Sequence, residues 1–181
     1  MRIVIDMQGA QTDSRFRGIG RYTLSLTRAL LRQARDHEII LALNGQFPNS
    51  VHQIKQHFGG LLPSRQIVVW HAPKVLDGSG TLVEHKQQLS ENVREAFLAS
   101  LQPDVVHLSS VFEGFSDEAI TSIGTFDQST PVSVIIYDLI PLLNPEQYLK
   151  QDQHFEQHYY QKIEYLRRAA HHFAISEFSK T

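Results

Sequence analysis

The sequence predicts an α/β protein built on a doubly wound parallel sheet with helices on both faces. Three observations point there. Short apolar runs alternate with helical patterns along the whole chain, the rhythm of repeated strand–helix–strand units. Those runs are nearly continuous in apolar residues, as expected of strands covered on both sides. At 181 residues the chain suits one domain and is long enough for a layered core.

The elements follow in order. RIVID at 2–6 opens the chain as a strand, and a polar loop leads from it to Gly18 and Gly20. A helix is expected over 21–35, with Tyr22, Leu26, Ala29 and Leu30 on its apolar face. Further strands read at 38–43, 66–70, 105–108, 132–136 and 172–175, and further helices at 51–58, 91–101 and 152–170. The last helix carries Phe155, Tyr159, Ile163, Leu166 and Ala170 at three- and four-residue steps, a clean amphipathic stripe. Residues 77–81, Asp-Gly-Ser-Gly-Thr, read as a flexible loop. Residues 176–181 look like the cap of a helix that does not follow. The chain is therefore expected to be a single domain over 1–181, cut from a longer protein ahead of a second domain.

Composition narrows the function. Seventeen basic and 19 acidic residues leave a net charge of −2, which argues against a nucleic-acid partner. The chain has no cysteine, which excludes disulfides and thiolate metal sites. Its histidines show no H-E-x-x-H or comparable spacing, so no metal and no cofactor are expected. No apolar run approaches the ~20 residues of a membrane span, and no signal-like segment precedes the first strand. The cytoplasm is the expected location.

In an open parallel sheet, ligands bind beyond the carboxyl ends of the strands. That rule selects Gly18, Gly20 and Arg21 after the first strand and His71 after the third. It selects His107, Ser109 and Glu113 at the end of the fourth, Tyr137 and Asp138 after the fifth, and Ser176 after the sixth. Glycines at a helix start let a ligand approach the backbone, and the N–H groups there, with roughly +0.5 charge from the dipole, attract anions. A phosphorylated ligand is expected. The glycine spacing does not match a dinucleotide fingerprint, and no Gly-Lys-Ser/Thr follows for a Walker A loop. Each candidate has a plainer alternative. His107 reads equally as a satisfied strand histidine, Asp138 as a turn cap, Glu113 as a loop carboxylate, and Ser176 and Ser179 as helix caps. Arg21, Arg28, Arg32 and Arg35 fall in a stripe about 60° wide on the first helix, which is either a solvated face or a surface for anionic lipid.

Taken in order, Met-Arg-Ile-Val-Ile-Asp, Phe-Arg-Gly-Ile-Gly-Arg-Tyr-Thr, Pro-Asp-Val-Val-His-Leu, Tyr-Asp-Leu-Ile-Pro-Leu and Ala-Ile-Ser-Glu-Phe-Ser-Lys resemble the N-terminal domain of retaining GT-B glycosyltransferases of family 4. The look is that of the mannosyltransferase-type enzymes of surface-polysaccharide synthesis. The resemblance covers essentially the whole chain. It implies a Rossmann-like, acceptor-side half that closes on a C-terminal half holding most of a nucleotide-sugar donor. Gly18 and Gly20, with Arg21, would lie by the donor's diphosphate and sugar. The acceptor would be a glycan or a lipid-linked sugar, and the basic stripe would allow peripheral contact with the inner face of a membrane. His107 and Asp138 would be the catalytic contacts, and His71, Ser109, Glu113 and Tyr137 contacts to the acceptor or sugar. The family's paired-glutamate motif belongs to the second half and is absent here. Two departures stand out. Relatives often carry a second histidine where this chain has Ser109, and a histidine where it has Tyr137. With half of the cleft missing, the isolated chain is expected to be inactive. The rival functions are a non-catalytic module binding a sugar or nucleotide, and a nicotinamide-dependent oxidoreductase. The second is disfavoured by the glycine spacing and by Asn44-Gly45 where an acidic residue would stand.

Overall fold

The computed structural model describes residues 1–33, 36–73 and 81–179. Its sheet is a single six-stranded, fully parallel one, in the order β3-β2-β1-β4-β5-β6. The strands are β1 (Arg2–Asp6), β2 (Glu38–Asn44), β3 (Ile67–Trp70), β4 (Val105–Leu108), β5 (Val132–Ile136) and β6 (His171–Ala174). This is the doubly wound Rossmann-like order, and its connections reverse direction between β1 and β4. The sheet is the one the apolar runs predict, with β6 shifted one residue toward the N-terminus.

Helices α1 (Gly18–Gln33) and α2 (Pro48–Phe58) cover one face over β1, β2 and β3. There Ile5, Ile39, Leu41 and Leu43 pack with Ile54 and Phe58 of α2 and with Leu24, Leu30 and Leu31 of α1. Helices α3 (Thr81–Ser100) and α6 (Gln153–Arg168) cover the other face, and two single turns, α4 (Ile140–Leu143) and α5 (Pro145–Tyr148), follow β5. Val4, Ile40, Ala42 and Val106 meet Leu98 of α3, while Leu108 and Val134 meet Tyr159, Ile163 and Leu166 of α6. Asp152 caps α6 by accepting from the His154 and Phe155 amides at 2.9 and 3.1 Å, so the expected start holds.

Several expectations change, among them the start of α2, at Pro48 rather than 51. Helix α1 begins at Gly18, so both glycines lie in its first turn rather than before it. Its buried face is Gly20, Thr23 and Thr27, while Tyr22 and Ala29 are exposed. Small residues face the sheet because α1 lies close against the buried turn at Gln8–Ala10. Helix α3 starts ten residues before its expected start of 91, because its polar first half carries no apolar period to read. On α6 the stripe ends at buried Ala169, and Ala170 is exposed beyond the last turn. Of the loop expected at 77–81, Thr81 instead opens α3, and residues 77–80, like Arg35 of the basic stripe and the last two residues, lie outside the described residues. Among the described residues no helix is long and apolar enough to cross a membrane.

Candidate active site

The segment joining β1 to α1 is polar in sequence yet buried in the fold. Gln8, Gln11 and Thr12 are almost fully covered, and the two glutamine amides close on fixed partners. The Gln8 side chain donates to Asp6 at 3.0 Å and to the Ile120 carbonyl at 2.6 Å, and accepts from Ile120 and Asn44. Gln11 donates to the Asn44 carbonyl and to Ser50, and accepts from the Asn44 amide at 2.8 Å. Beneath them Asp6 is locked to Arg94 of α3, at 2.6 Å from Nη2 and 2.8 Å from Nε, while Arg94 also donates to the Ser122 carbonyl. Satisfied buried networks of this kind rigidify the backbone they hold.

Glu113, in the loop after β4, is buried and accepts three hydroxyls, from Thr12 at 2.7 Å, Ser110 at 2.9 Å and Ser14 at 3.0 Å. It thereby ties the loop after β4 to the 3-10 turn Asp13–Phe16. That turn sets the start of α1, because a Cβ on Gly20 would fall on the Arg15 backbone. Gly20 is thus required by packing. Gly18 is exposed, with no atom near the place a Cβ would take, so no side chain among the described residues crowds the helix there. Arg17 and Arg21 are exposed beside it. Arg15 bends back, donating to the Gln11 carbonyl and stacking on Phe16 with 4.4 Å to the ring centre.

Ser109 lies at the reversal point, where its hydroxyl donates to the Asp6 carbonyl at 3.0 Å. A Cβ on Gly9 would press on Ser109 Oγ, Ile19 and Thr23, so β1, β4 and α1 converge there. Tyr137 meets Tyr22 edge-on at 5.8 Å between ring centres. Burial raises its phenol to about 12, against the lowering effect of Thr23, and Tyr22 and Glu113 nearby add to the rise. The Ser179 hydroxyl, which pairs with Ser176, donates to the Tyr137 carbonyl at 2.8 Å.

The start of α1 is thus tied to Glu113 through Thr12 and Ser14 and to Tyr137 through Tyr22, with Gly18 and Arg21 exposed in its first turn and Ser109 on the neighbouring strand end. The structure sets the remaining candidates apart. His71 is exposed at the end of β3, over Gly45, about 14 Å from β4 by strand spacing. His107 does not reach the edge. It lies on the face of β4, with Nδ1 2.9 Å from the Ser133 hydroxyl and Phe173 beside it. Its Nε2 is buried with no partner among the described residues. Burial lowers its pKa to about 4, so the ring is neutral near pH 7 and acts as a hydrogen-bonding group there. Asp138 is exposed and accepts from the Ile140 amide at 3.3 Å, the turn-capping geometry. Of the basic stripe, Arg21 and Arg32 are exposed, while Arg28 pairs with His57 of α2 at 2.7 Å. Among the described residues no group of three His, Asp or Glu side chains is arranged to hold a metal.

The hydroxyl cage of Thr12 and Ser14, the Gln8–Gln11–Asn44 network and the Asp6–Arg94 pair escape sequence reading. Asp6 closing an otherwise apolar strand is the one local sign of the pair.

No protein-family model matches the chain, and no solved structure does. Curated proteins do match. Three, each named serotype-specific mannosyltransferase WbdA of Escherichia coli, are similar to it. One is 33% identical over 180 residues, covering 98% of this chain and 21% of that protein. Two others are 30% identical over 155 residues and 28% over 153, each covering 84% of this chain and 19% of the relative. The chain spans about a fifth of the length of these curated relatives. Its similarity is thus to part of proteins named as glycosyltransferases.

Proposed function

We propose that this domain is the acceptor-side, N-terminal half of a retaining GT-B glycosyltransferase of family 4. The enzyme moves a hexosyl group, mannose by preference, from a nucleotide-sugar to a glycan or lipid-linked acceptor. The carrying observation is similarity along 98% of the chain to a protein named as a mannosyltransferase. An open strand edge at the sheet's reversal point supports it, being the usual ligand position in such sheets.

Glycosyl transfer passes through a cationic sugar and a departing diphosphate, so it needs preorganised positive potential at the phosphates. The first turn of α1 supplies N–H groups and the positive end of its dipole, with Arg17 and Arg21 beside Gly18. Glu113 holds that turn in place through Thr12 and Ser14. Tyr137 and Ser109 shape the sugar side, and exposed Asp138 orients a sugar or acceptor hydroxyl, while His107, buried on the face of β4, braces the strand through Ser133. No metal is needed for these roles. The enzyme works in the cytoplasm, with Arg21 and Arg32 available to anionic lipid at the inner face of the membrane. A binding module without chemistry is the alternative, and the relatives' names weigh against it.

The test is transfer of labelled mannose from a nucleotide-activated donor by the polypeptide that carries this domain. Gly18→Val adds bulk where no protein atom stands, so it should keep the fold and lower kcat at least about tenfold by displacing the donor. Unchanged kcat would remove Gly18 from the site, and no transfer from any nucleotide-sugar would overturn the enzyme reading. Transfer by the 181-residue chain alone would overturn the division into two halves.

A further inference from the structure

We propose that the cavity walled by Lys162 between α3 and α6 binds one ring of a neutral oligosaccharide, whose neighbouring residues run along the groove between those helices. The site lies on the opposite side of the sheet from α1, since α3 and α6 pack on the other face. It is therefore separate from the Gly18 edge and does not depend on the transferase reading.

Lys162 is 3% exposed, and its ammonium donates to the Thr121 hydroxyl at 2.7 Å. That hydroxyl is already committed, donating to the Val111 carbonyl at 2.6 Å. Among the described residues no carboxylate comes within ion-pair distance of Lys162. The ammonium also lies 5.7 Å from the centre of the Tyr165 ring, but a ring face does not replace hydrogen-bond acceptors, and a buried ammonium with two donors unassigned is costly. Burial lowers its pKa to about 8, while Glu91, Glu113 and Asp117 draw it back upward.

Beside this ammonium is a cavity of about 220 Å³, whose walls include Ser90, Glu91, Asp117 and Glu118. Cation and carboxylates thus share one space without pairing. An anion in it would meet the carboxylates, and a cation would meet Lys162. Hydroxyl groups suit both, because each accepts from an ammonium and donates to a carboxylate. A polyol of ring size satisfies the set, and the volume admits a single sugar ring.

The cavity shares Gln87, Glu91 and His158 with a longer groove of about 790 Å³. Gln88, Gln157 and Gln161 line that groove, where a helix pair closing on itself would carry apolar side chains. Amides offer donor and acceptor side by side, the pattern a chain of sugar hydroxyls presents. The extended groove favours an oligosaccharide over a lone ring.

The test is amide chemical-shift perturbation of the purified chain by methyl α-D-mannoside, by a linear mannotriose and by inorganic phosphate. The expected result is shifts at Ser90, Asp117, Ala119 and Lys162, tighter binding of the triose, and no response there to phosphate. Lys162→Met should abolish the shifts. Glu118→Ala, at an exposed position, should weaken binding about tenfold by removing one charged hydrogen bond, and it carries the test if the first variant does not fold. A response to phosphate alone would overturn the proposal, as would no sugar response. Sugar shifts confined to Gly18 and Tyr137 would overturn it while leaving the transferase reading intact.

Discussion

Two buried cations on the same side of the sheet make opposite use of their surroundings. Arg94 is 2% exposed and meets Asp6 through two nitrogens while a third group reaches the Ser122 carbonyl. Lys162 is 3% exposed, and among the described residues it meets one hydroxyl and the face of the Tyr165 ring, 5.7 Å from its centre, with no carboxylate in ion-pair distance. A planar guanidinium with a carboxylate in its fork is structurally complete, and a point charge facing a cavity is not. The same contrast separates the two glycines of α1, Gly20 committed to packing and Gly18 left open. Groups whose bonding capacity is used up hold the fold, and groups with capacity left over are where the proposed ligands would act.

The contrast is tested most severely at Arg94. Arg94→Met leaves Asp6 buried and unpaired, and should cost about 3–5 kcal/mol of unfolding free energy by chemical denaturation. A loss below 1 kcal/mol would show that the pair is no more than a surface ion pair in energy. Next in size, Gly20→Ala forces a Cβ onto the Arg15 backbone and should cost about 1–3 kcal/mol, read as a lowered denaturation midpoint.

Lys162→Met removes a charge that has no ionic partner, so at pH 7 its stability should stay within about 1 kcal/mol of the parent chain or rise. Its pH dependence sharpens the point. The folded lysine titrates near 8, below its ordinary 10.5. Between those values the unfolded chain binds the extra proton, so stability rises with pH across the window. Denaturation at pH 8 and pH 10 should show that rise in the parent chain and a flatter profile in Lys162→Met. Equal profiles would mean that Lys162 is not desolvated. The smallest effect is Gly18→Ala, expected to stabilise by up to about 0.5 kcal/mol through helix propensity; a clear loss would show that Gly18 is also held by packing.

Much of the architecture is legible in the sequence. The strand runs mark β1 through β6 to within a residue or two, because a strand covered on both faces must be apolar at nearly every position. Asp152 marks the start of α6 because a cap acts on the amides two and three residues ahead. The first half of α3 is not legible, since its sequence carries no apolar period, and Lys86, Gln87, Gln88 and Ser90 line polar cavities. The open-edge rule selects Gly18, Arg21, Ser109, Glu113 and Tyr137, which lie on the strand-end segments after β1, β4 and β5. It also selects His107, whose side chain lies on the sheet face, and His71, about three strands away. Strand-end position gives the edge but not the direction of a side chain.

By itself, then, the sequence determines the parallel sheet, the presence of a helix close after the glycines and the strand ends at which polar residues stand. All of these depend on neighbours within a few positions. The tertiary structure alone decides that Asp6 takes Arg94 across 88 residues, that Glu113 takes Thr12 across 101, and that Lys162 is left with Thr121. Such pairings depend on how helices and loops converge over the sheet, and no local period encodes which buried charge will find its partner.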